Sequence, residues 1–197
     1  MNGATTFSLR FIAFALIHSL LASDFCKKAG SRYLPAALQR FYRLSYNLLS
    51  LVIFAWVMAA YPLPPVLYIV PGAWSLVCTA LQLILLLLLY RCAAQTGLAA
   101  LLGLQAAETG ELCTTGCYGL VRHPLYSLSA AFLIVTPVMT VKWLLLTVFS
   151  CCYFVVGAII EEQRLGRKFG DTYRNYRRRV PMFIPRISKS KDPTFPG

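Results

Sequence analysis

Five apolar runs, separated by polar or proline-containing stretches, dominate the pattern of the chain. A helix that crosses the hydrocarbon core of a bilayer needs about 20 predominantly apolar residues, and each run approaches that length. The pattern therefore predicts membrane-spanning helices at residues 7–23, 44–61, 73–94, 125–141 and 143–160. Because only Lys142 separates the last two runs, we expect them to form a tight helical hairpin.

Composition supports a membrane protein. The chain has 197 residues, of which 58% are hydrophobic and only 13% are charged, whereas soluble domains carry about 25% charged residues. The length suits one domain over residues 1–197, and no internal repeat is evident. We predict an all-α fold: a polytopic integral membrane protein of about five transmembrane helices, with a cytoplasmic C-terminal helical segment at residues 161–185 and a flexible tail at residues 186–197.

The basic residues predict the orientation. The net charge of +12 needs no nucleic-acid partner, because basic cytoplasmic loops and attraction to anionic lipid explain it. No basic residue lies between the second and third runs, and ten follow the fifth run, whereas five lie between the first and second: Lys27, Lys28, Arg32, Arg40 and Arg43. This alternation predicts an outside N-terminus and a cytoplasmic C-terminus. A cleaved signal peptide is the alternative for the first run, but the N-terminus is not strongly basic.

The seven cysteines show no metal or redox motif. There is no CxxC pair, and no cluster of histidines or cysteines near Cys113 and Cys117 completes a zinc site. We therefore expect most cysteines to be small apolar residues in helices or loops, and we expect no bound metal.

Two polar segments flank the predicted hairpin. TTGCYGLVRHPLYS, residues 114–127, holds Arg122 and His123 just before the fourth run. EEQRLGRKFGDTYRNYRRRVPMFIP, residues 161–185, follows the fifth run and begins with two glutamates. The hairpin brings both segments to one membrane face. The alternative is that both segments only anchor the chain at the membrane surface.

The second segment has a helical pattern. Gly170 followed by Asp171 indicates a helix stop and a new N-cap. Apolar and aromatic residues recur every three or four positions, which predicts one apolar helix face: Leu165, Phe169, Tyr173 and Tyr176.

In combination, the two segments resemble the isoprenylcysteine carboxyl methyltransferase family of membrane-embedded enzymes. The resemblance covers residues 103–185 and rests on RHPxY, two apolar runs, a glutamate pair and FGxxYxxY. IHSLLAS, LLGLQ and TPVMT are similar to a bacterial branch whose relatives include a methanethiol S-methyltransferase. Cys117 departs from the proline that many members carry, but the following Tyr118 is kept.

The resemblance implies S-adenosylmethionine as cofactor, bound at the cytoplasmic face of a bacterial inner membrane. It implies cofactor contacts from Gln105, Gly116, Tyr118, Val121, Arg122, His123, Pro124, Tyr126, Glu161 and Glu162. The Arg122 guanidinium suits the cofactor carboxylate. A glutamate suits the ribose hydroxyls or the amino group, and the tyrosine rings suit the sulfonium or the adenine.

The methyl acceptor stays open between a prenylcysteine carboxylate, a thiol and a lipid amine, reached from the membrane. Leu125, Tyr173 and Tyr176 are the candidates for binding it, and Arg164 and His18 are the catalytic candidates. Arg164 either pairs with Glu161, three residues earlier on the same helix side, or holds an anionic acceptor. His18 either bonds to a carbonyl or hydroxyl of a neighbouring helix or takes the proton of a thiol.

Three alternatives to this interpretation remain. One is a membrane reductase of related architecture that uses a nicotinamide cofactor. The second is a phospholipid amine N-methyltransferase, and the third is a non-enzymatic membrane protein. Binding of S-adenosylmethionine separates the methyltransferases from the other two classes.

The predicted orientation is testable with a topology reporter. A reporter fused after Gly197 should behave as cytoplasmic, because the basic loops alternate along the chain. A periplasmic or lumenal signal at this position would contradict the topology.

Overall fold

The computed structural model describes residues 2–23, 25–26, 32, 41–97 and 112–186. The candidate residue Gln105 and the predicted tail from residue 187 onward lie outside these residues, as do Lys27, Lys28 and Arg40 of the first basic loop.

Helices account for most of the described residues. They are α1 (Gly3–Ala22), α2 (Tyr42–Met58), α3 (Ala73–Gln95), α4 (Cys117–Leu120), α5 (Pro124–Ile134), α6 (Val141–Phe169) and α7 (Asp171–Arg179). The helices α1, α3 and α6, with 20, 23 and 29 residues, are long and apolar enough to cross a membrane. The chain is therefore a mostly helical membrane protein.

Two of the predicted spans correspond to shorter helices, so the structure does not establish a count of five. The helix α2 has 17 residues and α5 has 11. At a rise of 1.5 Å per residue, α5 is about 16 Å long, which is about half of the hydrocarbon core. The predicted helix over residues 125–141 needs correction: α5 ends at Ile134, because Pro137 disfavours helical backbone at the residue before it.

Two short strands correct the all-α prediction. Strand β1 (Val66–Ile69) pairs antiparallel with β2 (Val138–Thr140), with Val66 opposite Thr140 and Ile69 opposite Val138. Both strands follow prolines, which end the preceding helices. Their β-branched residues favour extended backbone once a partner strand is available.

The core lies where α1 packs against α2 and α6. Phe7 and Val57 are fully buried there, together with Phe11 and Leu146. The Phe11 ring lies 5.4 Å from the Phe149 ring of α6. The helix α3 instead packs against α5 and exposes large apolar side chains over most of its length. A bilayer would cover such a surface.

One continuous helix joins the predicted fifth span to the polar segment after it. The helix α6 runs past residue 160 and ends at Phe169, so Glu161 and Glu162 lie within it. Gly170 has φ +54°, a conformation that favours glycine, and separates α6 from α7. The predicted helix stop is observed, but Gly170 rather than Asp171 is the N-cap of α7.

A disulfide joins Cys92 at the end of α3 to Cys117 at the start of α4. These two cysteines therefore correct the expectation of small apolar residues. They are 25 residues apart in the sequence, and only the tertiary approach of α3 to α4 makes them neighbours. The other five cysteines are free thiols: Cys26, Cys78, Cys113, Cys151 and Cys152.

The disulfide predicts a thiol count. Protein purified without reductant and denatured should react with a maleimide mass tag at five cysteines, and after reduction at all seven. Cys92→Ser should show six reactive thiols under both conditions, because its partner is then free. Seven reactive thiols in unreduced wild type would show that the bond is absent.

Candidate functional site

Three segments of the chain meet beside the last turns of α6. The Arg122 N–H donates to the Pro181 carbonyl over 2.8 Å, and the His123 N–H donates to the Met182 carbonyl over 3.1 Å. These bonds fold the chain after α7 back over the start of α5. The side chains of both residues reach Glu162 on α6. The structure thus brings the two predicted polar segments together.

Protein partners engage most of the Arg122 guanidinium. Nε and Nη2 both donate to Glu162 Oε1 over 2.7 Å. Nη1 donates to the carbonyls of Arg177, over 3.1 Å, and Val180, over 2.6 Å. Because a guanidinium has five N–H groups, one has no partner among the described residues. Arg122 therefore ties α6 to the C-terminal end of α7.

The Glu162 carboxylate is buried, with 6% of its side chain exposed. Besides Arg122, His123 Nε2 lies 3.3 Å from its Oε1 and Arg177 Nε lies 3.4 Å from its Oε2. A buried carboxylate costs several kcal/mol unless charged and hydrogen-bonding partners surround it. The three partners come from two segments, the loop before α5 and the helix α7, so this one carboxylate joins both segments to α6.

Glu161 faces a stack of three rings. Its Oε2 accepts a hydrogen bond from the Tyr126 hydroxyl over 3.4 Å and lies 3.7 Å from His123 Nδ1. The His123 ring stacks on Tyr126 with centroids 5.6 Å apart, and Tyr126 stacks on Phe154 at 5.3 Å. His123 thus stands between the two glutamates. Glu161 keeps 39% of its side chain exposed and can accept a further partner.

Local chemistry explains the shape of the loop before α5. Gly116 has φ +58°, and a Cβ there would collide with the Gln95 side chain, whose Oε1 accepts the Cys117 N–H over 3.0 Å. Val121 is buried in extended backbone. Pro124 begins α5, a position that suits proline because its missing N–H has no helical partner. The half-buried Leu125 follows it.

The candidate tyrosines are packed against the loop. Tyr173 and Tyr176 are buried, and the Tyr176 hydroxyl donates to the Tyr118 carbonyl over 2.6 Å. Burial raises the pKa of Tyr118 and Tyr176, and it raises the pKa of Tyr173 to about 12, helped by the Glu162 charge. The Tyr173 hydroxyl is buried and has no hydrogen-bond partner in the described part of the chain. These phenols therefore stay protonated at neutral pH.

The structure does not bring His18 to the glutamate pair. Its Nε2 lies 2.7 Å from the Tyr46 hydroxyl, and its Nδ1 lies 3.0 Å from Ser50 Oγ, both on α2. The Tyr153 ring of α6 lies 6.1 Å away. Tyr153 precedes Glu161 by eight residues, about 12 Å along the helix. These contacts with hydroxyls of a neighbouring helix are the ones expected if His18 has a structural role rather than a catalytic one.

Arg164 does not form the predicted pair. It is exposed on α6, and among the described residues no ion pair joins it to Glu161. Glu161 turns instead toward Tyr126 and His123. The i,i+3 spacing was therefore not sufficient to predict an ion pair, because the segment at the start of α5 supplies other partners for Glu161.

A cleft of about 270 Å³ opens beside Glu162, lined by Arg122, Ile159, Glu162, Gln163, Arg177 and Met182. Small-molecule sites usually measure about 300–1,000 Å³, so this cleft suits part of a nucleotide-sized ligand. Over the residues that the structure describes, no three His, Cys, Asp or Glu side chains group as metal ligands.

Sequence relatives decide the family. The chain is 31% identical over 187 residues to methanethiol S-methyltransferase 2 of Bradyrhizobium diazoefficiens, covering 88% of this chain and 70% of the relative. It is 30% identical over 185 residues to methanethiol S-methyltransferase 1 of the same organism, covering 87% and 63%. A methanethiol S-methyltransferase of Crocosphaera subtropica is 42% identical over 76 residues, covering 39% and 30%.

The chain belongs to the methanethiol S-methyltransferase family. It is therefore a membrane methyltransferase, as the resemblance to the isoprenylcysteine carboxyl methyltransferases implied, and the reductase and non-enzymatic alternatives gain no support. No family model matches the chain, and no solved structure matches it.

Two residues of the candidate site were not predicted from the sequence. Arg177 contacts Glu162 and lines the cleft, and Phe154 completes the ring stack. Arg177 follows the buried Tyr173 by four residues and hence lies on the same helix face. That spacing was a usable signal for Arg177. No comparable signal identified Phe154 within a long apolar run.

The buried carboxylate predicts unequal effects of the two glutamates on stability. Glu162→Ala should lower the free energy of unfolding of this methyltransferase by about 3–5 kcal/mol, because it leaves the buried Arg122 charge unpaired. Glu161→Ala removes the same atoms from a partly exposed position with longer contacts, and its effect should be much smaller. Chemical unfolding in detergent micelles measures both. Equal losses would contradict the central role of Glu162.

Proposed function

We propose that this methyltransferase transfers a methyl group from S-adenosylmethionine to a small thiol at the cytoplasmic face of a bacterial inner membrane. The observation that carries the proposal is the meeting of Arg122 and His123 with the pair Glu161–Glu162 in a chain whose relatives are named methanethiol S-methyltransferases. A site between soluble cofactor and bilayer suits a small lipophilic acceptor. A multi-pass topology with the C-terminus in the cytoplasm belongs to this proposal.

The residues beside α6 fit S-adenosylmethionine. Among the described residues the buried Tyr173 hydroxyl has no hydrogen-bond partner, which is unusual because buried polar groups are almost always hydrogen-bonded. The partly exposed Glu161 carboxylate can accept from hydroxyl or amino groups, and Tyr126 offers a ring face next to it. Aromatic faces attract cations such as a sulfonium. A cofactor at this site would supply the electrophilic methyl group.

Methylation of a thiol requires loss of its proton. If S-adenosylmethionine occupies this site, it would supply the methyl group to the acceptor sulfur and leave as a neutral thioether, and the thiol proton would pass to water. The thiolate is the reactive form. The protein's main contribution is to hold the sulfur about 3–3.5 Å from the methyl carbon and in line with the breaking bond. We propose that Leu125 and the stacked rings shape this position.

The proposal treats the two catalytic candidates, His18 and Arg164, separately. The hydroxyls of Tyr46 and Ser50 occupy both ring nitrogens of His18, which supports a structural role over a base. Arg164, which forms no ion pair with Glu161 among the described residues, would hold an acceptor only if that acceptor were anionic, so the thiol proposal gives it no catalytic role. A neutral thiol does not need that contact, whereas a prenylcysteine carboxylate does.

Acceptor competition tests the proposal. Purified enzyme with methyl-labelled S-adenosylmethionine should methylate methanethiol to a volatile labelled thioether, and should methylate a prenylcysteine or phosphatidylethanolamine far more slowly. Methylation of the carboxylate or the amine in place of the thiol would contradict the proposed thiol acceptor.

The same assay decides the role of His18. His18→Ala should keep most of the turnover and the shape of the pH–rate profile, because its bonds are structural. Loss of turnover together with loss of a limb near the ordinary imidazole pKa of about 6.5 would instead assign His18 as the base.

A further inference from the structure

We propose that Arg177 receives the carboxylate of the methyl donor in the cleft beside Glu162. This inference rests on the proposed function and names the anion contact within its site. Sequence reasoning gave that contact to Arg122, whose guanidinium is mostly engaged by protein partners. The two arginines share one carboxylate, and their surroundings distinguish their roles.

The charges beside the cleft do not balance. The Glu162 carboxylate faces the guanidiniums of Arg122 and Arg177, at 2.7 Å and 3.4 Å. One negative charge therefore meets two positive charges, and an anion in the cleft would neutralise the excess. Glu161 does not supply it, because its carboxylate faces Tyr126 and His123.

Of the two arginines, Arg177 has more unpartnered donors among the described residues. Its Nε lies near Glu162, and its two terminal nitrogens have no hydrogen bond or ion pair to any described residue. Its side chain is 62% exposed, against 9% for Arg122, and it lines the cleft. A carboxylate binds best to two parallel N–H groups of one guanidinium. Arg177 offers such a pair, whereas Arg122 has one N–H left.

A second polar atom near the cleft lacks a partner. The buried Tyr173 hydroxyl has no hydrogen-bond partner in the described chain, and the charges of Glu162, Arg122 and Arg177 act on it. Tyr173 lies one helical turn before Arg177 on α7, so both side chains face the same way. A ligand that carries an anion and further polar atoms would satisfy both groups at once.

Calorimetry with two donors tests this inference. Wild type should bind S-adenosylmethionine about 10- to 100-fold more tightly than decarboxylated S-adenosylmethionine, the scale of one hydrogen bond to a charged group. Arg177→Gln should reduce this ratio to within a few-fold of one. Arg178→Gln, the same change at the neighbouring exposed position, should keep the wild-type ratio. Both ligands are titrated into the same preparation, so partial loss of folded protein changes the number of sites and leaves the ratio intact.

The outcomes separate the two proposals. No binding of S-adenosylmethionine to wild type would overturn the proposed function, whereas binding with an unchanged ratio in Arg177→Gln would overturn only the role of Arg177. If Arg177→Gln does not fold, Arg177→Lys serves as the second variant, because it keeps the positive charge without the two parallel N–H groups of a guanidinium. Its ratio of the two affinities should lie between that of wild type and one. A wild-type ratio in Arg177→Lys would overturn the role of Arg177. Arg177 would instead bind a lipid phosphate if wild type retained phosphatidylglycerol, Arg177→Gln lost it, and the ratio of the two donor affinities stayed the same.

Discussion

The buried carboxylate of Glu162 is the constraint on which the site depends. A charge at this depth is tolerated only when partners surround it, and its partners come from the loop before α5 and from α7. The ion pair with Arg122 therefore positions more than two side chains. Through the carbonyls of Arg177 and Val180, it also orients the C-terminal end of α7 against α6.

The two adjacent glutamates have different surroundings. Successive helix positions differ by about 100°, so Glu162 turns toward the arginines while Glu161 turns toward the rings of Tyr126 and His123. One carboxylate is committed to the fold, and the other remains partly exposed. This division is what a site needs when it has to be rigid and also has to exchange polar contacts with a ligand.

The disulfide and the proposed orientation constrain each other. Cys117 directly precedes Tyr118 in α4, and Cys92 anchors this short helix to α3. Disulfides persist in oxidising compartments, whereas cytoplasmic thiols are kept reduced. With a cytoplasmic site, the bond would therefore form only after cell lysis, and α3 would hold the loop in vivo through contacts such as that of Gln95 with the Cys117 N–H.

The sequence by itself determined the class of the protein and identified part of the candidate site. The length of an apolar run is a property of consecutive residues, so hydropathy was sufficient to predict a helical membrane protein. The RHP and double-glutamate segments were visible for the same reason, and so was the helix end at Gly170. Tertiary structure alone decided which groups pair. It joined β1 to β2 and bonded Cys92 to Cys117. It also gave Arg122 two carbonyl partners more than 50 residues away. Such partners depend on how distant segments approach one another, and the local pattern of residue types does not record that approach.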